Sequence, residues 1–429
     1  MNDVGSGTFG LVQRHLKAVV AERLKEAPVV VLTGARTVGK STLMAACADA
    51  HGVPVFDLDD PQQLEMVRRD PTLFVTADMR RPVCIDEFQH ELSLLSAIKA
   101  QLNREMTAGR YLLTGSTRYT MLPSTSQSLT GRAHIMTMWP LSQGELVGRR
   151  ETALDQLITD PRTLVSAFPS TTQRRDYERL ILAGGFPVAL TRPTGDPRDR
   201  WFADFINLVI QRDVLDIRKV RQRQVIPEIL RHLAAQTAQV LNNSTVANAL
   251  ELEAHLVGDL ITLLESVFVV HRLHAFGRTL SARVGRSPKV HLVDSGLAAY
   301  LLRINETRLA ARVPTTMTEF GHVVETFAVN ELLKQAGWSE EIIDFSHFRT
   351  RDGHEVDLVM EARDGRIAGV EVKAASKITD QDFRGLRLLR DKIGSDFVGG
   401  VLLNLGQYSY TYDDRLYVVP LDRLWTPIT

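Results

Sequence analysis

The chain has 429 residues, 44% hydrophobic and 24% charged, with 51 Lys plus Arg against 51 Asp plus Glu. That length implies two to four domains, and the balanced charge excludes a chain-wide field for nucleic acid or membrane, so any such partner has to be met by a local patch. Cys47 and Cys84 are too few for a disulfide framework and read as buried free thiols. The polar, Gly-rich start, and the lack of any run near the roughly 18 apolar residues of a membrane span, give the expectation of a cytoplasmic protein without membrane contact.

The stretch "APVVVLTGARTVGKSTLMAACADA" is an apolar strand, then Gly34, Ala35, Arg36, Thr37, Val38, Gly39, Lys40 and Ser41, then a helical pattern through Thr42. That is a P-loop in its strand-loop-helix setting. Glycines let backbone N–H groups curl round phosphates, the helix N-terminus adds positive potential, Lys40 meets the terminal phosphate oxygens and Ser41 ligates Mg²⁺. "RPVCIDEFQH" is a buried strand ending in Asp86 and Glu87, the arrangement in which the first acid holds the Mg²⁺ shell and the second polarises attacking water. "YLLTGST" ends a third strand in small polar residues, any of Thr114, Ser116 or Thr117 being placed to sense the terminal phosphate. Arg132, in "SLTGRAHIMTMWPLS", is either an arginine acting in trans on a neighbouring subunit or an ordinary surface arginine. Strands at 29 to 32, 53 to 58, 83 to 85 and 111 to 114 alternate with helices, which predicts an α/β, doubly wound parallel sheet. No Asn-Lys-x-Asp motif is present, so ATP is expected rather than GTP.

"LTGARTVGKSTL", "IDEFQ", "LLTGSTRY", "SLTGR", "GGFPVAL", "RDV", "SPKVHLVDSGLAAYLL" and "HEVDLVMEARDGRIAGVEVK", in that order over residues 10 to 425, resemble the prokaryotic AAA-type ATP-binding proteins with a C-terminal domain of initially unknown function. The resemblance implies an AAA-type core over 1–146, then a helical lid and connector over 147–222. "TRPTGDPRDR" at 191 to 200 reads as a turn-rich break, followed by a helix whose end carries Arg218, Lys219, Arg221 and Arg223. From 223 to 310, three helices and a two-stranded wing give a winged-helix layout. Its reading helix offers Glu251, Glu253, Asp259 and Glu265 against His255, poor chemistry for phosphate, whereas a loop with Arg278, Arg283, Arg286 and Lys289 suits phosphate or an acidic partner. Asp294-Ser295 reads as a turn.

Residues 311–429 give a helix holding Glu325, strands at 343 to 348, 355 to 361, 367 to 373 and 398 to 403, and a helix at about 379 to 392. This is the order of the α+β restriction-endonuclease-like fold, whose nucleases use a helix Glu, an Asp and a Glu-x-Lys pair; Glu325, Asp357, Glu371 and Lys373 match. In "EVDLVMEARDGRIAGVEVK" a two-residue turn at Asp364-Gly365 would set Asp357 against Val372. A type I turn over 362 to 365 with Gly365 as a left-handed bulge sets it against Glu371 instead. Only the bulged register gives one wholly apolar face, Val356, Leu358, Met360, Ala368, Val370 and Val372, and it is the expected one. Two carboxylates and a lysine there suit a Mg²⁺ site, with Glu325, Asp357 and Glu371 as ligands. His322, His347 and His354 lack zinc-ligand spacing and read as ordinary polar histidines.

Two functions fit: a Mg²⁺-dependent, ATP-hydrolysing switch or motor, expected to be a homo-oligomer, coupled to a nuclease-like domain acting on or holding DNA or RNA, or a regulatory ATPase scaffold whose winged-helix and inactive nuclease-like domains only bind protein or DNA partners.

Overall fold

Strands with little polar alternation are those covered on both faces, and three of them build the centre of the first sheet. In the computed structural model, which describes residues 12–77, 79–118, 129–214, 223–277 and 286–426, β1 (Val29–Thr33), β2 (Val55–Asp57), β3 (Val83–Asp86), β4 (Tyr111–Gly115) and β5 (Ala133–Thr137) run parallel in the order β2-β3-β4-β1-β5. Val30 and Leu32 pack with the Lys40–His51 helix, while Val29 and Val31 belong to a second core with the Ser93–Arg104 helix. β5 was not expected. Its residues are only half-buried at the sheet edge, so no apolar run announces them.

The segment expected as a lid divides. Ala153–Thr159 packs against the C-terminal sheet rather than over the P-loop, with Leu154 N donating to Gln335 Oε1 and Arg366 donating to the Ile158 carbonyl. The helix Asp196–Leu208 begins inside the supposed 191–200 break, because Pro197 is compatible with a first helical turn. It runs into a wider turn, Val209–Val214, that reaches the P-loop. Arg218, Lys219 and Arg221 lie outside the described residues, as do Arg278 and Arg283.

Three helices, Ile226–Ala235, Asn243–Ala249 and Ala254–Ser266, accompany a small antiparallel sheet ordered β6 (Gln239–Val240), β8 (Lys289–Leu292), β7 (Val270–Leu273), with β6 falling between the first two helices. Asp294 is a buried N-cap of the helix Ser295–Leu301, not a free turn; it accepts from Leu297 N and from Gly185 N of the "GGFP" segment.

The last unit sets the 22-residue helix Pro314–Gln335 on a six-stranded sheet ordered β13-β14-β12-β11-β10-β9, with the amphipathic helix Arg384–Ile393 on the other face. β9 is Ile343–Arg349, β10 Glu355–Ala362, β11 Ile367–Lys373, β12 Phe397–Asn404, β13 Tyr410–Asp413 and β14 Leu416–Pro420. Between β10 and β11, Leu358 pairs with Val370 and Met360 with Ala368, which carries Asp357 opposite Glu371. Gly365 N donates to the Ala362 carbonyl and Gly365 has φ +91°, a conformation that glycine adopts without strain. Val356, however, leaves the expected apolar face, which keeps Leu358, Met360, Ala368, Val370 and Val372. Val356 and Val359 pack under Arg384–Ile393, β10 is bulged against β9 between them, and Asp357 and Glu371 are buried. One apolar cluster runs from Leu16 to Trp425, so the units share a core.

Candidate functional site

The loop after β1 must approach other backbone closely. A Cβ on Gly34 would lie 2.2 Å from the Met138 carbonyl oxygen, and Gly39 caps the Lys40–His51 helix at φ +98°. Both positions are closed to a side chain for physical reasons. Lys40 is buried, and its Nζ donates to the carbonyls of Gly34 (3.0 Å) and Ala35 (2.9 Å). Burial pushes its pKa down, against the pull of Glu87 and Asp86. Ala35 and Val38 are buried in the loop; Thr37, at φ +61°, and Ser41 and Thr42 of the first helical turn are exposed. Arg36 folds back to pair with Asp213, its Nε 2.7 Å and 2.9 Å from the two carboxylate oxygens.

Parallel strands deliver their carboxyl ends to one edge, so β3 and β4 bring their terminal residues to this loop. Asp86 accepts from Glu87 N at 3.0 Å and, through the same oxygen, from the Thr114 hydroxyl in a very short contact. Glu87 sits at φ +52°, and its carboxylate accepts from the Gln89 side-chain amide, which also donates to Ser116 Oγ at 3.1 Å. Thr114 therefore supports Asp86, and Ser116 is linked to Glu87 through Gln89. Arg132 precedes β5 at the opposite edge, its guanidinium donating to the Lys99 carbonyl at 3.3 Å. One strand length separates it from its own P-loop.

These residues fit a nucleoside triphosphate with Mg²⁺. The loop has no room for a Cβ at Gly34 and is left-handed at Gly39, a helix N-terminus opens onto it, and its buried ammonium is held by carbonyl dipoles rather than by a carboxylate.

The C-terminal cluster differs. Lys289, at the start of β8, is 1% exposed, and its Nζ lies 2.7 Å from Glu325 Oε1 and 2.8 Å from Asp357 Oδ1. The expectation that Lys289 faces phosphate from a surface loop is thus corrected; β8 pairing turns the side chain inward. Asp357 Oδ2 accepts from Val372 N at 2.9 Å, and Lys373 Nζ lies 2.7 Å from Glu371 Oε1. Glu371 Oε2 is buried and has no hydrogen-bond partner. Burial works to lower the Lys289 pKa, but Asp357 and then Glu325 raise it on balance. Asp357 is held low against burial by Lys289 and Lys373, whereas burial and then Asp357 drive Glu325 well up and Glu371 up to about 8.

The structure places Glu325, Asp357, Glu371 and Lys373 in one cluster, but as a metal site they do not fit in this arrangement. A lysine already bridges two of the three acids, and among the described residues no group of three or more His, Cys, Asp or Glu side chains is placed to hold a metal ion. Lys289 was the missed residue. Its signal was available: a lysine opening "KVHLVD", a run in which Val290, Leu292 and Val293 are apolar. Asp213 was missed as a P-loop partner, although an acid inside the run "NLVIQRDVL" marks a position needing a buried cation. His347 is buried with its main chain joined to His274, and His322 approaches Gln239, in keeping with polar structural roles.

A parallel five-stranded sheet carrying a glycine loop, a buried lysine and an Asp-Glu pair at one edge defines a P-loop ATPase-like domain. Three family models match the chain: an AAA domain over residues 26–147, a domain of unknown function (DUF8612) over 174–308, and a domain of unknown function (DUF4143) over 320–424. Uncharacterized proteins of Mycobacterium tuberculosis and Mycobacterium bovis are each 23% identical over 414 residues, covering 96% of this chain and 85% of theirs. Similar solved structures include the Walker-type ATPase of Pyrococcus abyssi, with 14% identity and TM-score 0.42 over 68% of this chain and 96% of that one. Another is the RuvB Holliday junction branch migration motor of Thermotoga maritima, with 15% identity and TM-score 0.28 over 60% and 88%. Superpositions this loose carry no argument about activity. Among the described residues no helix is long and apolar enough to cross a membrane.

Proposed function

We propose that the protein is an ATP-binding and ATP-hydrolysing AAA-type switch. The observation that carries this reading is Lys40, a buried ammonium at a helix N-terminus held by two main-chain carbonyls, which a phosphate can replace as partners. Mg²⁺, when bound with the nucleotide, would neutralise phosphate charge, with Ser41 and Asp86 as the residues to hold it. Lys40 and the loop N–H groups from Gly34 to Ser41 bind and orient the phosphates. Glu87, supported by Gln89, takes the proton of the attacking water, and Ser116 couples that carboxylate to the end of β4. Arg132 can act only on a neighbouring subunit's nucleotide, which makes a homo-oligomer part of this reading. ATP turnover by the full chain should fall on the order of 10²- to 10³-fold in Lys40→Ala. Undiminished hydrolysis in that variant would sink the assignment.

For the rest of the chain we favour the scaffold reading, in which a winged-helix middle unit (223–310) and a nuclease-like unit (311–429) bind DNA, RNA or protein without cutting. The observation favouring it over a working nuclease is the Lys289 bridge between Glu325 and Asp357. The three helices and small sheet of 226–292 support the winged-helix part, while the Ala254–Ser266 helix spends Glu265 on Arg272 and presents no basic face. Incubation of the full chain with DNA and RNA in Mg²⁺ or Mn²⁺ should leave both intact. Cleavage that is lost in Asp357→Ala would reinstate the nuclease.

A further inference from the structure

We infer that Lys289 is a built-in cation standing where a divalent metal would bind, and that it closes the C-terminal acidic site to metal in the folded protein. This deepens the scaffold reading and rests on its identification of Glu325, Asp357, Glu371 and Lys373 as a nuclease-like site.

Three observations carry it. The first is position: the Lys289 ammonium lies 2.7 Å from one carboxylate and 2.8 Å from another, on acids from two different elements, the Pro314–Gln335 helix and β10. A divalent ion bridging the same acids would occupy that space. The second is ligand capacity. Hard divalent cations take about six oxygens, yet Asp357 spends one oxygen on Lys289 and the other on Val372 N, and Glu371 spends one on Lys373. Glu325 spends one on Lys289 as well, so what remains is its second oxygen and the buried, unpartnered oxygen of Glu371, two donors against about six. The third is anchorage. Lys289 pairs in β8 with Val240 on one side and Leu273 on the other. The chain after β7 is stitched to the edge of the C-terminal sheet, His347 N donating to the His274 carbonyl at 2.9 Å and Phe276 N to the His347 carbonyl at 2.6 Å. Withdrawing the amine therefore requires moving strands, not only turning a rotamer. The middle unit supplies the closure, and in the C-terminal unit alone Lys373 would be left to face the three acids.

The test is Mn²⁺ binding by the full chain without nucleotide, read as loss of the free-ion paramagnetic resonance signal, with thermal unfolding in parallel. Wild type should bind no Mn²⁺ through this site and show no shift in midpoint on adding it. Lys289→Ala should melt lower than wild type, gain one equivalent of bound Mn²⁺, and recover part of the lost midpoint when the ion is added; Lys289→Ala/Asp357→Asn should lose that equivalent. Lys289→Gln, which keeps most of the volume, carries the same readout where the alanine variant does not fold. Wild-type protein that binds one Mn²⁺, lost in Asp357→Asn, would overturn the closure while leaving the nuclease-like reading intact. Folded Lys289 variants that bind no Mn²⁺ would overturn both.

Discussion

Two lysines, Lys40 and Lys289, are buried at opposite functional regions of the molecule, and their surroundings are unlike. Lys40 has dipoles for partners, the carbonyls of Gly34 and Ala35, and its pKa is driven down by burial. Lys289 has formal charges for partners, Glu325 and Asp357, which raise its pKa in spite of burial. An ammonium held by dipoles has reason to exchange them for phosphate oxygens, because a charge-assisted hydrogen bond is the stronger kind. One already held by two carboxylates gains nothing from an anion and keeps a cation out. Burial of a lysine thus says little until its partners are known. The first is poised for a ligand, and the second replaces one.

The contrast can be broken most directly by removing each ammonium while keeping its stem. Lys289→Met should cost about 3–5 kcal/mol of stability, since it strands buried carboxylates, whereas Lys40→Met should cost on the order of 1 kcal/mol, the scale of lost neutral hydrogen bonds. Chemical denaturation of the two variants measures both, and equal losses would erase the distinction. Next in size, Asp213→Ala leaves the Arg36 guanidinium without its carboxylate beside the P-loop and should destabilise the nucleotide-free chain by about 1–3 kcal/mol. If that pair is a latch on the loop, ATP should restore part of the loss in the melting midpoint.

A third test reads the acidic cluster through pH. The folded pKa of Glu371 is raised to about 8 by burial and by Asp357, above the 4.5 of an ordinary glutamate, so between those values the folded state binds more protons than the unfolded one. Its stabilising contribution is present in full below about pH 4.5 and is lost as pH rises through about 8. Glu371→Gln should flatten that part of the stability profile and be the more stable protein at pH 8. A profile unchanged by the substitution would place the titration elsewhere. Among the uncharged positions, Gly365→Ala should cost about 1–2 kcal/mol through the left-handed backbone alone, since the space around that position is open. A cost near zero would mean that the turn setting the hairpin register is not the left-handed one.

Legibility in the sequence followed the range of the interaction. The P-loop was readable because strand, glycines, lysine and helix are contiguous, and the hairpin register was readable because a one-residue slip would have mixed charges into an apolar face. β5, β6 and β13 were not, being short or half-buried strands without a continuous apolar run; β14, a buried apolar run of five residues, was missed although its pattern was there. The supposed lid was misplaced in part because nothing local in 153–159 says which apolar surface its buried face meets; the C-terminal sheet competes for it with the nucleotide site.

The sequence by itself determined a phosphate-binding loop, an Asp-Glu pair after a strand, and a hairpin that sets Asp357 across from Glu371. Tertiary structure alone decided what those groups face. Asp213 reaches Arg36 across 177 positions of chain, and Lys289 reaches Glu325 across 36 and Asp357 across 68. Partners so distant in sequence are chosen by the packing of whole elements, and it is the partner, more than the residue, that fixes whether a buried charge awaits a ligand or has already been satisfied.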